Sequence, residues 1–338
     1  MSAPAVTVLG SWPGTDFAAA QRLLLGELPE LSHLVELPDR GPGSQLIGRT
    51  AALLAGMSVD LQPSGWRLTD HPGIDERRAT ADWRRDLDLL EEEAQEYPGA
   101  LVVGIAGPWT LAASIDKPRG DKVLADHGAR RDLAEALAEG AADTLAELSR
   151  RLPGVPIRLQ VDEPLLPRVL AGKVATASGF GRLRTVHAPE ASEALHRVES
   201  TVRDRLTGTD AGYRSVLHCC APGVDAGLVL GAGFDDLAID RRHLDARLRD
   251  QLGPLLESGH GLWLGAAATH ELDQVPRPDT LADTALAAVR AFELGPELLE
   301  RLVLTPACGL AGWSPAAALR LVRTLRESAG LVAEQLAG

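Results

Sequence analysis

Ile157-Arg158-Leu159-Gln160-Val161-Asp162-Glu163-Pro164 is a short apolar run, of strand length, that stops abruptly at two adjacent carboxylates. Branched and leucine side chains alternate with polar ones, the period-two pattern of a strand. Seven further runs of the same kind lie on either side of it: Val6 to Gly10, His33 to Leu37, Leu101 to Ile105, Ser215 to Cys219, Asp236 to Asp240, Leu262 to Ala266 and Leu302 to Pro306. Between them run long segments of Ala, Leu, Glu and Arg with helical period. Asp132 to Leu152 and Ser314 to Leu336 are the clearest, the second announced by Ser314 as N-cap and Pro315 at the first helical position. Eight repeats of strand and helix predict an α/β fold, a single (β/α)8 TIM barrel. The usual size of that fold is about 250 residues, so 338 residues leave room for extra helices and long βα loops. No linker, low-complexity stretch or short repeat divides the chain, so residues 1–338 are expected to form one domain.

Enzymes on this fold place their chemistry at the C-terminal ends of the strands. The polar residues of the sequence gather there: Ser11, Asp39 and Arg40, Trp109 and Thr110, Asp162 and Glu163, His218 and Cys220, Asp240, Thr269 and His270, and Cys308. Three cysteines cannot all pair within one chain, and Met1-Ser2-Ala3-Pro4 lacks the charged start of a signal peptide. No apolar run approaches the roughly 20 residues that span a bilayer. These features predict a soluble cytoplasmic protein with reduced thiols. Its 34 basic and 47 acidic residues give a net charge of −13, which argues against nucleic-acid or anionic-membrane partners.

His218 and Cys220, two apart in a strand, share a face, whereas Cys219 points away. With Asp240 and Cys308 at neighbouring strand ends they form a candidate ligand set, and imidazole, thiolate and carboxylate donors suit tetrahedral zinc. The competing reading makes each cysteine a small buried hydrophobe. Of the adjacent carboxylates Asp162 and Glu163, one faces the cavity easily and could hold a substrate ammonium group; the alternative is pairing with arginine or capping a helix. The turn at Gly10-Ser11 could receive a substrate carboxylate through backbone N–H groups and the Ser11 hydroxyl. Trp109 could form a flat wall for a ligand, or simply pack in the core.

Taken together, Gly10-Ser11-x-Pro13, Gly107-Pro108-x-Thr110, Gln160-Val161-Asp162-Glu163-Pro164, His218-x-Cys220 and Cys308-Gly309-Leu310 resemble the catalytic barrel of cobalamin-independent methionine synthase and its short single-barrel relatives. The resemblance spans nearly the whole chain. It implies zinc on His218, Cys220 and Cys308, with Asp240 where the family has a glutamate ligand. It further implies that Ser11 holds the homocysteine carboxylate, that Asp162 holds the amino group, and that a methyl group passes to the homocysteine thiol to give methionine. The methyl donor would be methylfolate or a corrinoid protein. His270 stands where the family has a histidine that handles a proton, but alanine replaces the carboxylate two residues before it. Two other functions fit parts of the pattern: a uroporphyrinogen-decarboxylase-like enzyme, which needs an arginine-lined mouth and no metal, and a metal-free homologue with a binding or regulatory role.

Overall fold

The computed structural model describes residues 3–208, 212–292 and 296–337, so Met1 and Ser2 of the leader reading lie outside the described residues. Ten strands are formed among the described residues: β1 (Ala5–Val6), β2 (Leu31–His33), β3 (Ser58–Gln62), β4 (Gly65–Thr69), β5 (Ala100–Ala106), β6 (Ile157–Asp162), β7 (Arg214–Cys219), β8 (Asp236–Asp240), β9 (Gly261–Ala267) and β10 (Leu302–Pro306). Eight of them make one sheet in the order β1-β10-β9-β8-β7-β6-β5-β2, with every pair parallel. Its two ends meet where Ser11 bridges Glu36: Trp12 N–H donates to the Glu36 carbonyl at 2.8 Å and Glu36 N–H to that of Gly10 at 3.1 Å. A parallel sheet whose ends join is the barrel that the repeats predict.

The first two ladders begin before their apolar runs, at Ala5 and Leu31, and share only Val6 and His33 with them. Beyond Val6 and His33 the chain stays tied to the sheet by single bonds, from Thr7 N–H to the Leu304 carbonyl and from Leu34 N–H to that of Val102. It then turns inward to make the Ser11–Glu36 closure. The long helices follow expectation within a few residues. One spans His127–Arg151, starting earlier than its pattern because the Asp126 side chain accepts from Ala129 N–H. The last spans Pro315–Ala337, with the Ser314 hydroxyl accepting from Ala317 N–H at 3.4 Å. The antiparallel β3–β4 hairpin was not anticipated. It is inserted after β2 and leans on the loop after β5, where Asp116 exchanges backbone bonds with Trp66 and Leu68.

Alternation along the strands separates two apolar clusters. A small one of Leu9, Leu31, Ala100, Val102, Val216, Ala238, Trp263 and Val303 fills the barrel, and the large one packs strands against helices. In β6 that alternation turns Arg158, Gln160 and Asp162 to the inside and Leu159 and Val161 to the helices. The apolar plug, centred on Trp263, therefore carries a layer of polar side chains on its C-terminal side.

Candidate metal centre

His218 is the penultimate residue of β7, and Cys220 follows the strand on the same side. Cys308 enters from the turn after β10. Ligand atoms of these three residues lie within 4.8 Å of one another, and the two sulfurs are 3.4 Å apart. Asp162, one strand away on β6, meets His218 Nδ1 at 2.6 Å, while Gln160 Nε2 donates to both Asp162 oxygens at 3.0 and 3.2 Å. This leaves His218 Nε2 buried with no hydrogen-bond partner. An orphaned imidazole nitrogen beside two thiols, with its other nitrogen held by a carboxylate, fits the donor set and outer support of a zinc site.

The electrostatics agree with that chemistry. Burial alone would lower the His218 pKa, but the Asp162 hydrogen bond and charge, together with a Cys308 thiolate, raise it. Cys308 is drawn down to about 6, first by the hydrogen bond with Cys220 and then, against burial, by the His218 charge and the Gly309 N–H. Cys220 moves up, because it keeps the proton the two sulfurs share and is partly buried. One sulfur is thus an anion near neutral pH, the form that binds metal.

A cavity of about 220 Å³ opens beside the three residues, lined among others by Ser11, Glu36, Asp162, His218, Cys220 and Cys308. Glu36 is a site residue that the sequence reading missed, since it lies within the apolar His33 to Leu37 run. It is buried against Arg49, whose Nη1 lies 3.5 Å from Glu36 Oε1 and donates to the Gly104 carbonyl at 2.7 Å. Arg49 in turn stacks on Trp83 at 3.7 Å. Burial pushes the Glu36 carboxyl up to about 7, Arg49 pulls it back and Asp162 adds to the rise. A charged residue inside an otherwise buried run was the available signal, because an acid there must be paired or functional.

Two glycines make the closeness possible. A Cβ on Gly10 (φ +89°) would lie 2.9 Å from the Glu36 carboxyl and 3.0 Å from the His33 ring, and one on Gly309 would lie 1.8 Å from Ser11 Oγ. Ser11 is thereby brought to the cavity wall, its carbonyl accepting from Leu310 N–H.

Four of the expected site residues stand elsewhere. Both Glu163 oxygens are engaged: Trp109 N–H donates at 2.8 Å, and the N–H and hydroxyl of Thr110 donate at 2.9 and 2.6 Å. Glu163 caps the Pro108–Ser114 helix, and burial moves its carboxyl up to about 8 against those three donors. Trp109 packs among the outer helices, with Nε1 donating to the Ala191 carbonyl at 3.0 Å, and does not line the cavity. Asp240 is outside the group of close ligand atoms and is clasped by Arg242. His270 lies exposed on the rim, 2.9 Å from Arg242 Nη1, so the orienting group that the sequence seemed to lack is an arginine. Asp39 and Arg40 serve the rim structurally, the first accepting from Gly14 N–H and the second pairing with Asp86.

No protein-family model and no curated protein matches the sequence. Solved structures do. A B12-independent methionine synthase from Shewanella sp. W3-18-1, in complex with selenomethionine, aligns with a TM-score of 0.60 over 99% of both chains at 13% identity. A Listeria monocytogenes protein described as a vitamin-B12-independent methionine synthase aligns with a TM-score of 0.56, over 98% of this chain and 99% of its own, again at 13% identity. The likeness is one of fold. Both neighbours match end to end, so this barrel has the size and topology of B12-independent methionine synthase-like proteins. Among the described residues, no helix is long and apolar enough to cross a membrane.

Proposed function

We propose that the protein is a zinc-dependent S-methyltransferase that transfers a methyl group to a small thiol, with homocysteine as the acceptor and methionine as the product. The observation that carries this reading is the orphaned Nε2 of His218 beside two sulfurs 3.4 Å apart, at the wall of a cavity on the C-terminal face of the barrel. His218, Cys220 and Cys308 would hold the metal. When bound, zinc favours the thiolate form of a thiol that reaches it, which supplies a nucleophile at neutral pH.

The chain's own residues do the rest. Asp162 fixes the imidazole through Nδ1 and so presents Nε2. Glu36 and Asp162 place two carboxyl groups at the cavity wall, where an amino-acid ammonium would find charge-assisted acceptors. The turn at Ser11 faces the same space with a hydroxyl, which suits the carboxylate end of the acceptor. A cavity of about 220 Å³ suits one small amino acid. The methyl donor, a methylated folate or a methylated corrinoid on a protein, would approach from the open rim. The decarboxylase alternative loses support, because no arginine among the described residues lines this cavity.

The test is metal analysis and methyl transfer on the purified protein with Cys220→Ser and Cys308→Ser. Zinc bound by the wild type and lost in both variants, with homocysteine methylated by a methylfolate or a methylcorrinoid, is the expected result. Undiminished zinc in both variants, or no transfer from any donor to any thiol, rejects the reading.

A further inference from the structure

Asp240, at this rim, is captured by an arginine two residues further along the chain. Residues Cys219 and Ile239 are register partners in β7 and β8, so Cys220 and Asp240 come next at the same level on adjacent strands. Such strands lie about 4.8 Å apart. Ala238 belongs to the cluster inside the barrel, and alternation turns Asp240 to that same side. The carboxylate therefore stands one strand from the thiol pair, where a fourth ligand would come from. It is nevertheless fully occupied: Arg242 donates to Oδ1 through its backbone N–H at 2.9 Å and its Nε at 3.1 Å, and to Oδ2 through Nε at 2.9 Å and Nη2 at 2.5 Å. Asp240 is only 2% exposed, while Arg242 extends outward to His270.

We infer that Arg242 is a positioning residue that holds Asp240 out of the metal's coordination shell, so that three protein donors leave one position open for the thiol acceptor. The inference rests on the zinc reading above. Catalytic zinc sites commonly keep three protein ligands and one exchangeable position, and a fourth protein donor would have to leave the metal before a thiol could bind. Arginine suits the task, because its fork engages both carboxylate oxygens at fixed geometry and stays charged. Freed of the guanidinium, a buried carboxylate beside a divalent cation would pair with that cation instead.

The experiment measures zinc affinity by chelator competition, and the visible spectrum of the Co2+-substituted protein, in the wild type, Asp240→Asn, Arg242→Met and the double variant. Asp240→Asn is expected to leave zinc affinity within about twofold, since an outer carboxylate already neutralised by arginine gives the metal little. Arg242→Met is expected to tighten zinc about tenfold or more, to change the Co2+ spectrum and to abolish the spectral response to homocysteine. The double variant returns to wild-type behaviour, a rescue that a merely structural arginine would not give. Should Arg242→Met fail to fold, Arg242→Lys, which keeps the charge and loses the fork, is expected to shift the same readouts in the same direction. A Co2+ spectrum altered by Asp240→Asn alone, with zinc weakened by more than the roughly 100-fold of an outer partner, would make Asp240 a ligand and overturn the inference, as would unchanged affinity and spectrum in the arginine variants. Neither result touches the zinc reading, which fails if the cysteine variants keep their metal or if the wild-type protein binds none.

Discussion

The two ends of the barrel interior both carry charge, and they treat it differently. At the N-terminal end Asp236 is satisfied on both oxygens, by Arg214 Nη2 at 2.6 Å and Trp263 Nε1 at 3.1 Å, while the Nε of Arg158 on the neighbouring β6 is unpaired among the described residues. At the C-terminal end His33 Nε2, Gln160 Oε1 and His218 Nε2 are all buried without partners, beside a carboxyl and a thiol whose pKa values are both displaced toward neutrality. Unpaired buried polar atoms cost on the order of 1–3 kcal/mol each. A fold that satisfies one end and leaves the other open concentrates that cost where a ligand can relieve it.

The sharpest way to break the contrast is at the sulfurs: Cys308→Ser is expected to weaken zinc by about a hundredfold or more in a chelator competition, with the melting temperature of the metal-free protein little changed. A pH titration of stability comes next. His33 is held down to about 4 by burial, so the unfolded chain, with its histidine near 6.5, takes up the proton first. Stability contributed by neutral His33 is therefore complete above pH 6.5 and is lost as pH falls to about 4, on the order of 3 kcal/mol over that window. Glu36, raised to about 7, works in the opposite sense, losing stability as pH rises toward 7. Comparing denaturant unfolding of the wild type with His33→Gln isolates the histidine: the variant should show a flatter acid limb, and an identical limb would contradict the assignment.

Asp162→Asn is expected to cost about 10- to 100-fold in zinc affinity, because Asp162 fixes the imidazole without touching the metal. The smallest effect belongs to the other end. Asp236→Asn should lower stability by about 1–2 kcal/mol by weakening the pair with half-exposed Arg214, and should leave zinc affinity unaltered. A loss of metal in that variant would dissolve the distinction between the two ends.

Periodicity explains what could be read in advance. Alternation is a local property, so His218 and Cys220 could be assigned to one side from spacing alone, whereas Asp162 was chosen over Glu163 only through the resemblance; the apolar runs marked six barrel strands closely and met the first two at one residue each. Residues whose fate depends on distant contacts could not be assigned in this way. Glu163 caps a helix some fifty positions earlier in the chain, and Trp109 reaches a carbonyl on the helix at Ala188–Leu206. Glu36 was hidden by the leucines and valine around it, and its relation to Arg49 arises only when the barrel closes. The β3–β4 hairpin carries alternating Val59 and Leu61 against Trp66 and Leu68, a signal present in the sequence but outside the βα rhythm. Asp240 was placed at the correct strand end, yet the arginine two residues later decides what its carboxylate binds.

The central claim is that one imidazole and two thiolates from β7 and the turn after β10 grip a single zinc ion. X-ray absorption at the zinc edge of the purified wild-type protein tests it most directly. The account predicts one zinc per chain, with two sulfur neighbours and one imidazole nitrogen, and a light atom or an added thiol in the remaining position. A zinc shell without sulfur, or a protein that binds no zinc at all, would contradict it.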